Sequence, residues 1–189
     1  MRIIHTATIC AFLCCSAVAS QKFTASDGSY VFSTDEGWQA RKGPSPFQGA
    51  LLELLRDNAA GITVAREGSE EIRGVSTGDI LDSKLQTFAA RGRLIAKAMP
   101  SKKRTIGGME AVEVEFESVA HDGKGIKMES RLVMTVIRES ETSVLVSIAS
   151  CRLVAVEKYL GQLRTILDSI SKAPNQPPEP MPLKRHGSP

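Results

Sequence analysis

Glu113, Glu115 and Glu117 stand at alternate positions in MEAVEVEFES, residues 109–118, and are the residues whose type and spacing first suggest chemistry. Side chains two apart on a strand share one face, so this row could serve a cation or acid/base work. Its length limits that use. At ~3.3 Å per residue the outer two glutamates stand about 13 Å apart, whereas calcium gathers about six to eight oxygens at ~2.4 Å. One ion cannot take all three, although two neighbours could ligate with help from elsewhere.

The following strand supplies the opposite charge. If Val112, Val114 and Phe116 share a core face with Ile126, Met128, Leu132 and Met134, an odd-numbered loop must join the strands, as a three-residue Asp122 to Lys124 or a five-residue His121 to Gly125 link. Glu113, Glu115 and Glu117 then share a face with Lys127, Glu129 and Arg131. Cross-strand pairs of this kind contribute roughly 0.2 to 1 kcal/mol each. The row therefore reads as a charge-balanced structural face, solvent-facing or bordering a groove, because uncompensated buried charge is costly. The last helix is expected on the opposite, even-numbered face. Glu115, Glu117, Lys127 and Arg131 are the candidate partner surface.

Other chemistry is sparse. His5 is near the start and His186 near the end, which leaves His121 for the central region, beside Asp122 and Gly123 in an expected turn. Cys151 has no neighbouring cysteine or histidine and reads as a small apolar residue at a strand end. No GxSxG, GxGxxG, P-loop or HExxH is present. No catalytic, metal or cofactor site is assigned, and the expectation is a protein that is not an enzyme.

These residues need elements to hold them. Tyr30 to Ser33 reads as a strand, followed by a turn through Asp35 and Gly37 and a short strand led by Trp38. GALLELLRDNAAGITVAREG reads as a hairpin turning at Asp57 to Gly61; leucine and glutamate favour helix for Leu51 to Arg56, but the turn and the β-branched residues after it favour strand. Leu81, Leu85 and Phe88 recur at helical spacing within Thr77 to Ala90, with Thr77 or Asp79 as N-cap and Arg91-Gly92-Arg93 as the close. A short strand follows Leu94. PSKKRT, residues 100–105, reads as a solvated basic turn. Strong β patterns cover Glu110 to Val119, Ile126 to Arg138 and Ser143 to Ser150. Val156, Leu160, Leu163, Leu167 and Ile170 form one apolar face of a last helix from Val154 to Ser171. A strand-rich centre with two helices implies an α+β fold on a twisted antiparallel sheet.

Both ends differ from this middle. Residues 1–20 combine Arg2, a mostly apolar run of about 12 residues and a small-residue end at Ala17-Val18-Ala19, the pattern of a signal peptide cleaved after Ala19 or Ser20. The run is short of the ~20 residues that span a bilayer. Cys10, Cys14 and Cys15 leave with it, so Cys151 has no intramolecular disulfide partner. Ile9, Leu13 and Cys14 precede those three cysteines, whereas a lipid anchor needs a small residue there, so no lipid anchor is expected. The protein is expected to be periplasmic or secreted, without a transmembrane segment once the leader is cleaved. Residues 173–189 are proline-rich and almost free of apolar residues, an extended or disordered tail in which Pro177 to Pro180 also fits a PxxP ligand. The stretch between, 21–172, is long enough for one domain. A net charge of +3 with both signs interspersed does not point to nucleic acid.

Tyr30-Val31-Phe32 followed by Gly37-Trp38, then Ile106-Gly107-Gly108-Met109-Glu110-Ala111, then Ile166-Leu167-Asp168-Ser169-Ile170, resemble in order and spacing the PsbP-like superfamily, which includes the extrinsic photosystem II protein and bacterial DcrB-type exported proteins. The resemblance implies a PsbP-like α/β/α sandwich, with Gly108 at the entry to the central hairpin and Trp38 as an early anchor. One departure is that Asp35 and Glu36 stand where the family often has a proline before Gly-Trp. The resemblance implies assembly factors, extrinsic subunits, chaperones or binding proteins, with no shared catalytic motif. The expected function is an exported, non-enzymatic domain that binds a protein or supports assembly in the cell envelope. The alternative is a periplasmic small-ligand or metal-binding protein using the charged hairpin face.

Overall fold

Ile62 and Val64 alternate with Gly61, Thr63 and Ala65, and only the first pair is fully buried, as on a strand with unlike faces. The same logic builds most of the protein. The computed structural model describes residues 20–42, 45, 47–90, 94–121, 125 and 127–174. The expected leader through Ala19 with its cysteines and His5, the helix close at Arg91-Gly92-Arg93, the turn residues 122–124, Ile126, and the tail from Asn175 with His186 lie outside the described residues.

The central eight-stranded sheet contains β3 (Gln39–Ala40), β4 (Ala50–Arg56), β5 (Ala60–Gly68), β6 (Leu94–Ala98), β7 (Lys102–Ile106), β8 (Met109–His121), β9 (Lys127–Arg138) and β10 (Ser143–Arg152). Its order is β3-β4-β5-β10-β9-β8-β6, and β7 also pairs with β8. A smaller sheet of β1 (Gln21–Thr24), β2 (Tyr30–Thr34) and β11 (Ser171–Lys172) lies apart from it. Helices α1 (Thr77–Ala90) and α2 (Val156–Asp168) complete the fold, and every strand pairing is antiparallel. Among the described residues no helix is long and apolar enough to cross a membrane.

Two cores lie on opposite faces of this sheet. On one, Ile80 and Leu81 of α1 pack on Val112, Val114 and Phe116 of β8 and on Leu132, Met134 and Val136 of β9. On the other, Tyr159, Leu163, Ile166 and Leu167 of α2 join Trp38, Tyr30 and Phe32 over Ile62, Val64, Val133 and Leu145. The register pairs Val112 with Val136, Val114 with Met134 and Phe116 with Leu132, with the expected parity, and places Glu117 opposite Arg131.

This arrangement corrects the placement of the last helix. It lies on the odd-numbered face that carries the glutamates, because the charges there are paired at one side, along β8 with Arg104 and Arg131, while the centre is apolar: Val133, Ile137, Leu145 and Ala149. The even-numbered face belongs to α1. The helix is also shorter than its apolar spacing suggests. A 3-10 helix precedes it at Leu153–Ala155, and Ser169 ends it by donating to the Ile166 carbonyl while accepting from Ser33 N–H at 2.7 Å. Ser171 then pairs with Val31 in β11.

Three local expectations also change. PSKKRT is largely strand, with Lys102 to Ile106 paired along Met109 to Glu113. The α1 cap is Ser76, whose Oγ accepts from Asp79 N–H at 3.1 Å and donates to the Asp79 carboxylate at 2.6 Å. His121 ends β8 opposite Lys127. Between β7 and β8, Gly107 and Gly108 take φ of 57° and 80°, the left-handed pair of a tight hairpin turn. A Cβ at Gly107 would sit 2.8 Å from the Ile170 carbonyl oxygen, so the turn also docks the chain leaving α2.

Candidate functional site

The β8 carboxylates meet arginines from three elements. Arg131 of β9 donates to Glu115 at 2.5 Å and to Glu117 at 2.6 Å. Arg164 of α2 reaches Glu115 at 2.6 Å and Glu113 at 3.1 Å. Arg104 of β7 pairs with Glu113 and bonds Asp168 at 2.5 Å. Glu113 is only 3% exposed, so its charge depends on these guanidinium partners. Burial alone would raise the Glu115 carboxyl, but hydrogen bonds from Arg131 and Arg164 hold it below the usual carboxylate range.

The seam therefore works as a clasp. Carboxylates already held by arginines are poor general bases and offer few free lone pairs to a cation. Of the surface expected from the sequence, Glu115, Glu117 and Arg131 come together, whereas Lys127 pairs with Glu129 at 2.6 Å near the hairpin end. Nothing in the local pattern signals this role for Arg164, whose partners are 51 and 49 residues away, or for Arg104, which stands in a stretch that reads as a basic turn. Among the described residues no group of three or more His, Cys, Asp or Glu is placed to hold a metal ion.

A second network joins the two sheets. Glu139 accepts from Tyr30 Oη at 2.8 Å, Arg66 Nη2 at 2.6 Å and Ser143 Oγ at 2.6 Å. Burial, then the neighbouring Glu139 carboxylate, pushes the Tyr30 hydroxyl up to about 12. Burial would raise Glu139 itself, but its hydrogen bonds from Arg66, Ser143 and Tyr30 hold it low. Nearby, the Arg56 guanidinium stands 6.0 Å from the Trp38 ring centre and 5.9 Å from that of Tyr159. A cavity of about 100 Å³ lies beside Trp38, Gln162 and Ser169. Cys151 is buried, and burial raises its thiol above the ordinary range, so it is a packing residue.

A larger concavity lies on the other side of the sheet. Helix α1 packs on β8 and β9, and beside it β4, β5 and β10 floor a groove of about 960 Å³. Gly61, Thr63 and Ala65 of β5 and Val146, Ile148 and Ser150 of β10 form much of this floor. Lys84 and Thr87 of α1 line one side, and Phe47 ahead of β4 lines another. Phe47 and Leu55 are 38% and 40% exposed. The charged groups at the rim are paired within the protein: Lys84 with Glu67, and Glu53 with Arg41 at 2.8 Å. Sequence reasoning missed this groove. Its available signal was β10, apolar on both faces from Val144 to Ile148, which calls for cover on both sides of the sheet.

No family model and no curated protein sequence matches the chain. Solved structures do. Cyanobacterial PsbP (CyanoP) from Synechocystis sp. PCC 6803 superposes with a TM-score of 0.61 at 12% identity, over 87% of this chain and 98% of that one. LpqN, involved in cell envelope biogenesis of Mycobacterium tuberculosis, gives 0.53 at 12% identity, over 82% and 91%. The Saccharomyces cerevisiae Ran-binding protein Mog1p gives 0.52 at 9% identity, over 82% and 95%. At such identities the likeness is one of fold, and it agrees with the motif order around Tyr30, Gly107 and Ile166: the chain folds as a PsbP-like α+β sandwich.

Proposed function

We propose that this chain is an exported, non-enzymatic PsbP-like protein that binds another protein or supports its assembly in the cell envelope. The observation that carries this reading is the groove beside α1, a half-apolar concavity floored by β4, β5 and β10. Fold neighbours described as Ran-binding or as involved in envelope biogenesis support a protein-interaction role by analogy of fold. The apolar leader supports export.

The surface expected from the sequence is a second contact zone. There Glu115 and Arg131 are engaged under α2, whereas Glu117 and Lys127 are the more exposed members, with 28% and 58% of their side chains exposed. A photo-crosslinking residue placed at Thr63, at Lys127 or at the outward-facing Lys158 tests the reading in intact cells. A discrete protein adduct from Thr63 and none from Lys158 is expected. Absence of adducts from both Thr63 and Lys127 would count against partner binding. Intact mass of the exported protein is expected to begin at Ser20 or Gln21; a mature chain that starts at Met1 would remove the export assignment.

A further inference from the structure

We infer that the groove beside α1 seats an amphipathic helix of a partner protein, with an uncharged apolar stripe laid on β5 and β10. This rests on the protein-binding reading above and names the face and the chemistry of the partner. The sheet itself supplies the first reason. β5 lies between β4 and β10, and β10 between β5 and β9, so the two central floor strands have both edges paired, while β4 at the margin is paired with β5 and, at Leu54 and Leu55, with β3. A peptide lying on these two strands finds no free edge to pair with, so the backbone groups it turns toward the floor must be satisfied within the peptide, which a helix does.

Size and charge agree with that occupant. Strands about 4.8 Å apart make the β4 to β10 floor ~10 Å wide, one helix diameter, and the nine residues of β5 span roughly 30 Å, enough for about five helical turns. Thr63 and Ala65 are small, so larger side chains of a visitor can reach the floor there, while Leu55 already covers Gly61. The rim charges are already neutralised through Lys84 with Glu67 and Arg41 with Glu53. Among the described residues a charged visitor would meet no unspent counter-charge there, which selects an apolar, neutral stripe. A hydrocarbon chain fits less well, because the groove is open to water along its length and the Thr63 and Ser150 hydroxyls lie on its floor. The polar flanks of an amphipathic helix suit that boundary.

The test is a selection on the full chain from a display library of 18-residue amphipathic helices whose apolar stripe is varied. The expected result is a helical binder that loses at least about tenfold in affinity on T63R and on S150R, is unaffected by K158E, and is abolished by a central proline. Trp38 fluorescence reports whether each variant is folded. Binders that survive the proline, displacement by lauric acid in preference to peptides, self-association that fills the groove, or no groove-dependent binder would each overturn the inference. If Thr63 or Lys127 still crosslinks to a protein in cells while the selection fails, partner binding stands and the helical occupant falls.

Discussion

Arg164 illustrates how one residue fixes a helix to a sheet. Its guanidinium bridges Glu113 and Glu115, and the first of these is nearly inaccessible to water. Replacing Arg164 with Met leaves Glu113 dependent on Arg104 and is expected to cost about 1–3 kcal/mol. Adding Glu113→Gln should restore part of that loss, because the two changes share one network. Urea unfolding followed by Trp38 fluorescence measures both, since Trp38 is the sole tryptophan and is 1% exposed. Equal, additive losses would mean that the clasp is only a set of surface contacts.

At the scale of elements, the turn between β7 and β8 and helix α2 stabilise one another. Gly107→Ala introduces a Cβ at positive φ and 2.8 Å from the Ile170 carbonyl, whereas Gly108→Ala meets open space. The first should destabilise by clearly more than the ~1–2 kcal/mol expected for left-handed strain alone at the second. Thermal denaturation of the two variants decides this, and identical midpoints would show that the turn does not constrain the α2 exit. Leu163, 1% exposed in the α2 core, should cost about 2–5 kcal/mol as Leu163→Ala. Strand β8 was legible from Val112, Val114 and Phe116 because alternation is local. β7 was not, because Lys102, Lys103 and Arg104 look like a solvated turn until β8 supplies their backbone partners. β11 was likewise absorbed into a helical pattern that Ser169 interrupts through a contact with β2.

For the whole molecule, the two polar networks set a pH window. Glu115 and Glu139 have folded values below their ordinary 4.5, so their contribution is present above about that pH and is lost as pH falls through the lower folded values. Tyr30 has a folded value raised from 10.0 to about 12, so its contribution holds below 10.0 and is lost as pH rises towards 12. Denaturant midpoints are expected to form a plateau between these limits and to fall on both sides. Glu115→Gln should flatten the acid limb and Tyr30→Phe the alkaline one. An unchanged acid limb in the first variant would remove the seam from the acid response.

The sequence by itself determined the longer strands, the parity of the β8–β9 register and the apolar stripes of both helices, because each follows from periodicity within one segment. Val112 and Val114 oppose Val136 and Met134 as that parity requires. The tertiary structure alone decided which sheet face each helix covers. That choice depends on the summed apolar area of several strands, so three glutamates on β8 did not repel α2 while Val133, Ile137 and Leu145 lay beneath it. It also brought Arg164 to glutamates 49 and 51 residues away and left β5 and β10 beside α1 as a groove. A groove is surface that no element of the described chain covers, a property of packing that no single segment encodes.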